Sequence, residues 1–177
     1  MAIRITFETH STTTDNEAGL ATGWLPGVLS NAGRDQARLL GKRRGNDSVD
    51  AVFTSDLARA VETATLAFQS TTIPVLHDWR LRECDYGELN GAPRSEVVDR
   101  RHEHRTTAYP GGESWTQAIE RVGGFLHDLP TRWAGCHVVV IGHVATRWGL
   151  DHFINGRQLD DLIVQEFLWQ EGWEYSF

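Results

Sequence analysis

Lysine is almost absent from this chain. Of 17 basic residues among 177, only Lys42 is a lysine. Acidic side chains outnumber basic ones, 24 to 17, for a net charge of −7. That balance argues against a general nucleic-acid binder, which presents a positive face, but leaves room for a local basic pocket. Cysteine is scarce as well. Cys84 and Cys136 are too few for a disulfide framework, so a reducing, cytoplasmic setting is expected. Long apolar runs are missing. The longest, Val138 to Ile141, is far too short to cross a bilayer, so no membrane association is expected. The segment Met1-Ala2-Ile3-Arg4-Ile5 has neither the basic stretch nor the apolar core of a secretion signal. Repeats, low-complexity tracts and linkers rich in Pro, Gly and Ser are absent, so residues 1–177 read as one domain. Hydrophobic residues at 40% and charged residues at 23% give the composition of a folded, soluble chain.

What is present is an alternation of short strand-like and helical stretches. Ile3-Arg4-Ile5-Thr6-Phe7 alternates apolar and polar residues and reads as a strand. A polar loop runs from His10 to Asn16, and Gly23-Trp24-Leu25-Pro26-Gly27 carries turn chemistry. Ser30 reads as the N-cap of a helix to about Arg44, ended by Gly45-Asn46. Ala51 to Thr54 reads as a buried strand. Ser55 or Asp56 is expected to cap a helix whose apolar residues Leu57, Val61, Ala64 and Phe68 step at helical spacing. Ile73-Pro74-Val75-Leu76 suits an edge strand, because proline cannot donate to a ladder. Arg94 to Arg105 is a charged segment with helical character. After the Pro110-Gly111-Gly112 break, Glu113 to His127 reads as an amphipathic helix. Cys136 to Ile141 is the most apolar strand and is expected at the sheet centre, with Cys136 buried. A helix follows from about Ala145 to Phe153, and the tail beyond Leu159 is expected to form a last strand pair.

Strands and helices in this order predict an α/β fold with a mostly parallel sheet covered on both faces. Ligands in such folds bind beyond the carboxyl ends of the strands. Three junctions there carry chemistry: His10, the Ser55 to Arg59 stretch, and His143. Two imidazoles with an arginine and a glutamate suit phosphoryl transfer. One imidazole attacks phosphorus. An arginine and the second histidine stabilise charge on the equatorial oxygens. A carboxylic acid protonates the leaving oxygen.

The sequence resembles the histidine phosphatase superfamily, which includes cofactor-dependent phosphoglycerate mutases, over nearly its whole length. Thr9-His10-Ser11-Thr12-Thr13 with Asn16 stands where the family carries Arg-His-Gly-x-Thr and a later Asn. Gly23 to Ser30 with Gly33, Gln36 and Ala37 is similar to the family stretch that follows. Ser55-Asp56-Leu57-Ala58-Arg59-Ala60 with Thr63-Ala64 matches "S.L.RA..TA". Leu81-Arg82-Glu83-Cys84-Asp85-Tyr86-Gly87 with Gly91 matches the acid motif. Pro110-Gly111-Gly112-Glu113-Ser114 with Arg121, and Val138 to His143, match the last two. Each motif alone is weak; six in order are not.

The resemblance implies a three-layer α/β/α sandwich, phosphoglycerate mutase-like. It also implies hydrolysis of a small phosphorylated metabolite through a phosphohistidine. His10 would be the nucleophile and Glu83 the acid and then the base. His143 would stabilise the transferring group, and Arg59 would hold its oxygens. Asn16, Thr9, Ser11, Thr13 and Val144 fall at the matching substrate-binding positions, and Trp24 is a candidate wall of the pocket. No metal and no cofactor are implied, and a homodimer is left open.

The departures are specific. Thr9 replaces the motif arginine, Ser11 the glycine, and Val144 the glycine after the second histidine. Trp148 stands where an arginine often lies. A charge-assisted arginine–phosphate contact contributes roughly 1.5–3 kcal/mol, so its loss needs compensation. Candidates are Arg4, Arg147, Arg94, Arg100, Arg101 and Arg105. Glu8, on the His10 side of the strand, would repel a phosphate if it faced the site. Residues 92–109 read as a lid or specificity segment. Two alternatives remain: a repurposed His/Glu/His site acting on a non-phosphomonoester substrate, and a non-catalytic metabolite-binding relative.

Overall fold

The computed structural model describes residues 1–177. Five strands form one sheet in the order β3-β2-β4-β1-β5. They are β1 (Arg4–Thr9), β2 (Ala51–Thr54), β3 (Val75–His77), β4 (His137–Gly142) and β5 (Trp173–Ser176). All pairings are parallel except β1 with β5, which is antiparallel. The central strand is β4, as its apolar run predicts. Val138, Val139, Val140 and Ile141 are all fully buried, each contributing about 1.5–3 kcal/mol relative to exposure.

Side-chain alternation assigns the two faces. Ile3, Ile5, Phe7, Val138 and Val140 join one core with Val122, Phe125, Leu126 and Leu150. The covering helices there are α5 (Trp115–Asp128) and α7 (Val144–Asn155). Val139, Ile141 and Val52 point the other way, onto Leu40, Ala60, Ala64 and Phe68. That face is covered by α2 (Asn31–Arg44) and α3 (Ala58–Phe68). The result is the expected three layers. The short helices α1 (Thr14–Glu17), α4 (Arg94–Arg100), α6 (Pro130–Trp133) and α8 (Leu159–Ile163) lie in the connections. No helix is long and apolar enough to cross a membrane.

Five details differ from the sequence reading. The first strand extends two residues further, to Thr9, because it pairs with β4 up to Gly142. Helix α3 has no side-chain cap at its N-cap Leu57. Ser55 and Asp56 bond instead to His143 and Arg82. The charged segment is helical only to Arg100. The tail forms helix α8 and one strand, not a strand pair, because β1 leaves room for a single partner on its outer edge. Cys136 is half-buried, just ahead of β4.

Helix α2 reaches the loop after His10 through a glycine. The Ser30 Oγ accepts from the Gly33 N–H at 3.1 Å, as an N-cap should. A Cβ on Gly33 would stand 1.9 Å from the Thr12 carbonyl oxygen. Gly33→Ala is therefore expected to destabilise by about 1–3 kcal/mol through overpacking, lowering Tm by several degrees. Gly124→Ala, in exposed α5 backbone with no neighbour nearer than 3.9 Å, is expected to stabilise by about 0.5–1 kcal/mol. Thermal melts of the two variants check both.

Candidate active site

The register of β1 on β4 ends with Thr9 opposite Gly142. The next residues on the two strands are His10 and His143, so the imidazoles emerge side by side. Their ring centroids lie 5.0 Å apart. The His10 N–H continues the ladder by donating to the Gly142 carbonyl at 2.9 Å. Its ring Nδ1–H donates to the Ser11 carbonyl at 2.8 Å. That bond leaves Nε2 with its lone pair. Burial and the charge of Arg59 push the His10 imidazole down to about 3, so it is neutral at neutral pH.

His143 is fixed by two partners. Arg59 donates to its Nδ1 at 3.3 Å. A guanidinium cannot accept, so Nδ1 is the acceptor and the proton sits on Nε2. That Nε2–H meets the Ser55 hydroxyl at 2.7 Å. Burial, then Arg59 and His10, hold His143 well below its ordinary value.

Arg59 is 2% exposed and has no carboxylate in ion-pair range. Its guanidinium donates to the carbonyls of Gly23 at 2.8 Å and Leu25 at 3.1 Å. Burial lowers its pKa, but an arginine stays charged. A buried cation answered only by carbonyls and an imidazole creates strong positive potential at the cavity floor.

Glu83 sits over the start of α7. Its Oε1 accepts from the N–H groups of Cys84 at 2.9 Å and Ala145 at 3.1 Å, and its Oε2 from Val144 at 3.3 Å. An acceptor at a helix N-terminus satisfies N–H groups that have no partner within the helix. The backbone of Glu83 is braced from behind. Arg121 donates to its carbonyl at 3.1 Å and to that of Arg80 at 2.9 Å. Arg121 is itself held by Glu113. Cys84 is buried, and burial and the neighbouring carboxylates push its thiol well up, so it is no thiolate.

His10, Arg59, Glu83 and His143 all line one cavity of about 630 Å³, with Thr9, Ser11, Asn16 and Val144. Thr13 does not line it. The Thr13 Oγ1 accepts from the Asn16 N–H while Asn16 Oδ1 accepts from Thr13 N–H, a capping box for α1. Trp24 does not line it either. The indole N–H donates to the Glu83 carbonyl at 2.6 Å, and the ring lies under Arg82 and Arg121. Trp24 thus braces the Glu83 backbone from behind.

Glu8 does line the cavity and is 1% exposed. Arg44 meets its carboxylate at 2.7 Å and Arg43 at 3.2 Å, so its charge is answered within the protein. Most of the compensating arginines are engaged elsewhere. Arg4 binds His137 at the opposite end of β4. Arg147 packs over Trp173 and near Asp151. Arg100 pairs with Glu96 and Glu103, and Arg105 with Asp160. Arg94 and Arg101 line the cavity. Ser55, read from the sequence as a helix cap at a chemistry-bearing junction, and the Arg43–Arg44 pair have contacts at the cavity that sequence reasoning missed. The Ser55 motif position was the one available signal.

Known proteins resemble this chain in sequence and in fold. Phosphoserine phosphatase 1 of Hydrogenobacter thermophilus is 28% identical over 149 residues, 80% of this chain and 71% of that protein. Phosphoglycerate mutase 1 of Saccharomyces cerevisiae is 34% identical over 105 residues, 56% of this chain and 42% of the mutase. The chain therefore matches less than half the length of that mutase. Among solved structures, Bacillus stearothermophilus YhfR superposes with a TM-score of 0.85 at 24% identity, covering 96% of this chain and 88% of that one. A mycobacterial glucosyl-3-phosphoglycerate phosphatase gives 0.80 at 25% identity, covering 92% and 84%. The model of the histidine phosphatase superfamily (branch 1) matches residues 5–163, and with the two histidines, the arginine and the glutamate in one cavity, the chain belongs to that superfamily.

Proposed function

We propose that this protein hydrolyses a small phosphorylated metabolite through a phosphohistidine on His10. The observation that carries the reading is the neutral His10 ring, whose Nε2 lone pair is freed by the Nδ1–H bond to Ser11. In the first step the Nε2–P bond forms as the bond from phosphorus to the leaving oxygen breaks, and Glu83 gives that oxygen its proton. In the second step water attacks phosphorus, the N–P bond breaks, and Glu83 takes the proton back. Arg59 beside His143 and His10 stabilises the charge spread over the equatorial oxygens, and His143 joins it when Arg59 turns to the anion and the ring proton passes to Nδ1, with Nε2 then accepting from the Ser55 hydroxyl. Thr9, Ser11 and Asn16 add uncharged contacts from the loop after β1. Residues 92–109, which bring Arg94, Val97, Val98 and Arg101 to the cavity, act as the specificity segment. The names of the phosphoserine and glucosyl-3-phosphoglycerate phosphatases support a metabolite-sized substrate.

Phosphate release from a panel of phosphomonoesters is expected to fall on the order of 10³-fold or more in His10→Ala. Wild-type protein quenched during turnover is expected to carry an acid-labile phosphohistidine. Release that persists in the variant would remove His10 as nucleophile.

In the free protein, the ring resonances of His10 and His143 are expected to stay flat between about pH 5 and pH 8. A midpoint at the ordinary 6.5 would contradict the neutral nucleophile. The folded state keeps both rings neutral, whereas the unfolded chain protonates them below about 6.5. Their contribution to stability is present above that pH and lost as pH falls toward 3, so urea midpoints are expected to drop through that window.

Thr9→Arg restores the family's charge beside the nucleophile. Vanadate affinity is expected to rise by about 10-fold or more. An unchanged affinity would mean that Thr9 does not face the bound anion.

A further inference from the structure

The cavity does not end at the catalytic groups. From His10 it continues along β1 past Thr9 to Glu8, and on to Phe167, Trp169 and Glu171 in the segment before β5. Two residues of strand span about 7 Å, so this annex opens close to the phosphoryl floor. Its other wall is α2. Gln36, Leu39, Leu40 and Arg43 line the cavity at the three- and four-residue steps of one helix face. Gln36 takes the Thr12 N–H at 3.0 Å, which seats that face against the loop after His10. Arg101 lies elsewhere in the cavity, against the Trp115 and Trp148 rings.

The annex walls are apolar and uncovered. Trp169 is 61% exposed and Leu39 56%, although both line the cavity. Apolar surface of this kind gains when an apolar group takes the place of water. The segment that carries Trp169 is held on both sides of it. Before it, the Phe167 ring packs on Trp173 at 5.9 Å. After it, Arg44 donates to the Glu171 carbonyl at 3.3 Å, and Arg43 meets the Glu171 carboxylate at 3.7 Å. Gly172 follows with φ of +81°, and a Cβ there would stand 2.1 Å from the Arg44 guanidinium. The glycine thus lets the chain pass close to Arg44, and the indole stands between two anchors.

Charge decides what the annex takes. Arg43 is the one cation that these two walls bring to the cavity, and Glu8 and Glu171 both answer it. A second phosphate or a carboxylate would find no free cation there and would meet the exposed Glu171. An uncharged group would lie against the Trp169 ring and the Leu39 side chain at no such cost.

We infer that the annex between Leu39 and Trp169 binds an uncharged apolar body on the leaving group, so that the preferred substrates are phosphomonoesters of large apolar phenols or alcohols. This rests on the hydrolytic reading above and names the substrate class of the same site.

Two pairs of probes hold the chemistry at phosphorus constant and change apolar size. 2-Naphthyl and phenyl phosphate release phenols of similar acidity, and hexyl and ethyl phosphate release alcohols of similar acidity. Wild-type kcat/KM is expected to favour the larger member of each pair by about 10-fold or more. In Trp169→Ala and in Leu39→Ala the ratio is expected to fall toward one, chiefly through KM. Both side chains are exposed, so neither variant empties the core. Trp169→Phe is expected to keep part of the ratio. Leu168→Ala, at an exposed position that does not line the cavity, is expected to keep all of it. Wild type without a preference in either pair overturns the proposal. So does a ratio that survives in Trp169→Ala, or one that collapses equally in Leu168→Ala. A wild-type dimer in sedimentation that Trp169→Ala makes monomeric gives the patch to a second copy of the chain and overturns it as well. If wild type releases phosphate from none of the four, the hydrolytic reading fails, and calorimetric binding of the same compounds decides the annex. Tighter binding of the larger members that is lost in Trp169→Ala upholds it, and equal binding within each pair overturns it.

Discussion

The parallel pairing of β1 with β4 is the constraint on which the site depends. The last ladder pair is Thr9 with Gly142, so two histidines 133 positions apart leave the sheet at one level. The neighbouring pairing of Thr54 with Ile141 leaves Ser55 beside Gly142, one residue below that level, where its hydroxyl meets the His143 ring. The histidines do not set this register. It is set by the alternation of Ile3, Ile5 and Phe7 with Val138 and Val140 toward one helical layer, and of Val139 and Ile141 toward the other. A slip by one residue would exchange the faces of every side chain on a strand. Burial of both faces thus fixes the spacing of the imidazoles, and the chemistry takes its geometry from the hydrophobic core.

Electrostatics then separates the charges that stabilise the fold from those left for a ligand. Glu8 is buried beside His10 and could have repelled an anion, but Arg43 and Arg44 answer it from the end of α2. These arginines also lie at the helix C-terminus, where cations are favoured. Glu83 is answered by backbone N–H groups of α7 and is braced from behind by Arg121 and Trp24. Arg59 is answered by no carboxylate, only by carbonyls and His143. The positive charge left unanswered at the floor therefore persists because each nearby carboxylate has partners of its own.

Much of this was legible in the sequence where the information is local or ordered. Alternation located β1, short apolar runs located β2 and β4, Ser30 located the start of α2, and the motif order brought His10, Arg59, Glu83 and His143 into one reading. What was not legible depended on partners distant in the chain. Ser55 looked like a helix cap because that is what a serine before a helix usually is, yet its hydroxyl is taken by His143, 88 residues on. Thr13 looked like a substrate contact and is a cap for α1. Trp24 looked like a cavity wall, but its indole N–H finds the Glu83 carbonyl. The tail after Leu159 has too weak a period to distinguish a hairpin from one strand on an open edge. A periodic pattern states which face a side chain takes, not which distant partner meets it there.

The segment 92–109 shows how a short connection acquires a fixed shape without a core of its own. At its start, Ala21 and Ala92 bond at 2.8 Å, and Arg94 donates to Gly19 at 2.8 Å. This ties it to the loop that follows α1. At its far end, the N–H groups of Trp115 and Thr116 meet the carbonyls of His104 and Arg105 at 3.0 and 2.9 Å, which ties it to the start of α5. Between these anchors Val97 enters the Trp115 and Trp148 cluster, and Arg101 rests on the same two rings. A side chain anchored in this way has little conformational freedom left to lose. The aromatic platform thus does for Arg101 what the strand ends do for the histidines: it sets the position of the charge before any ligand enters.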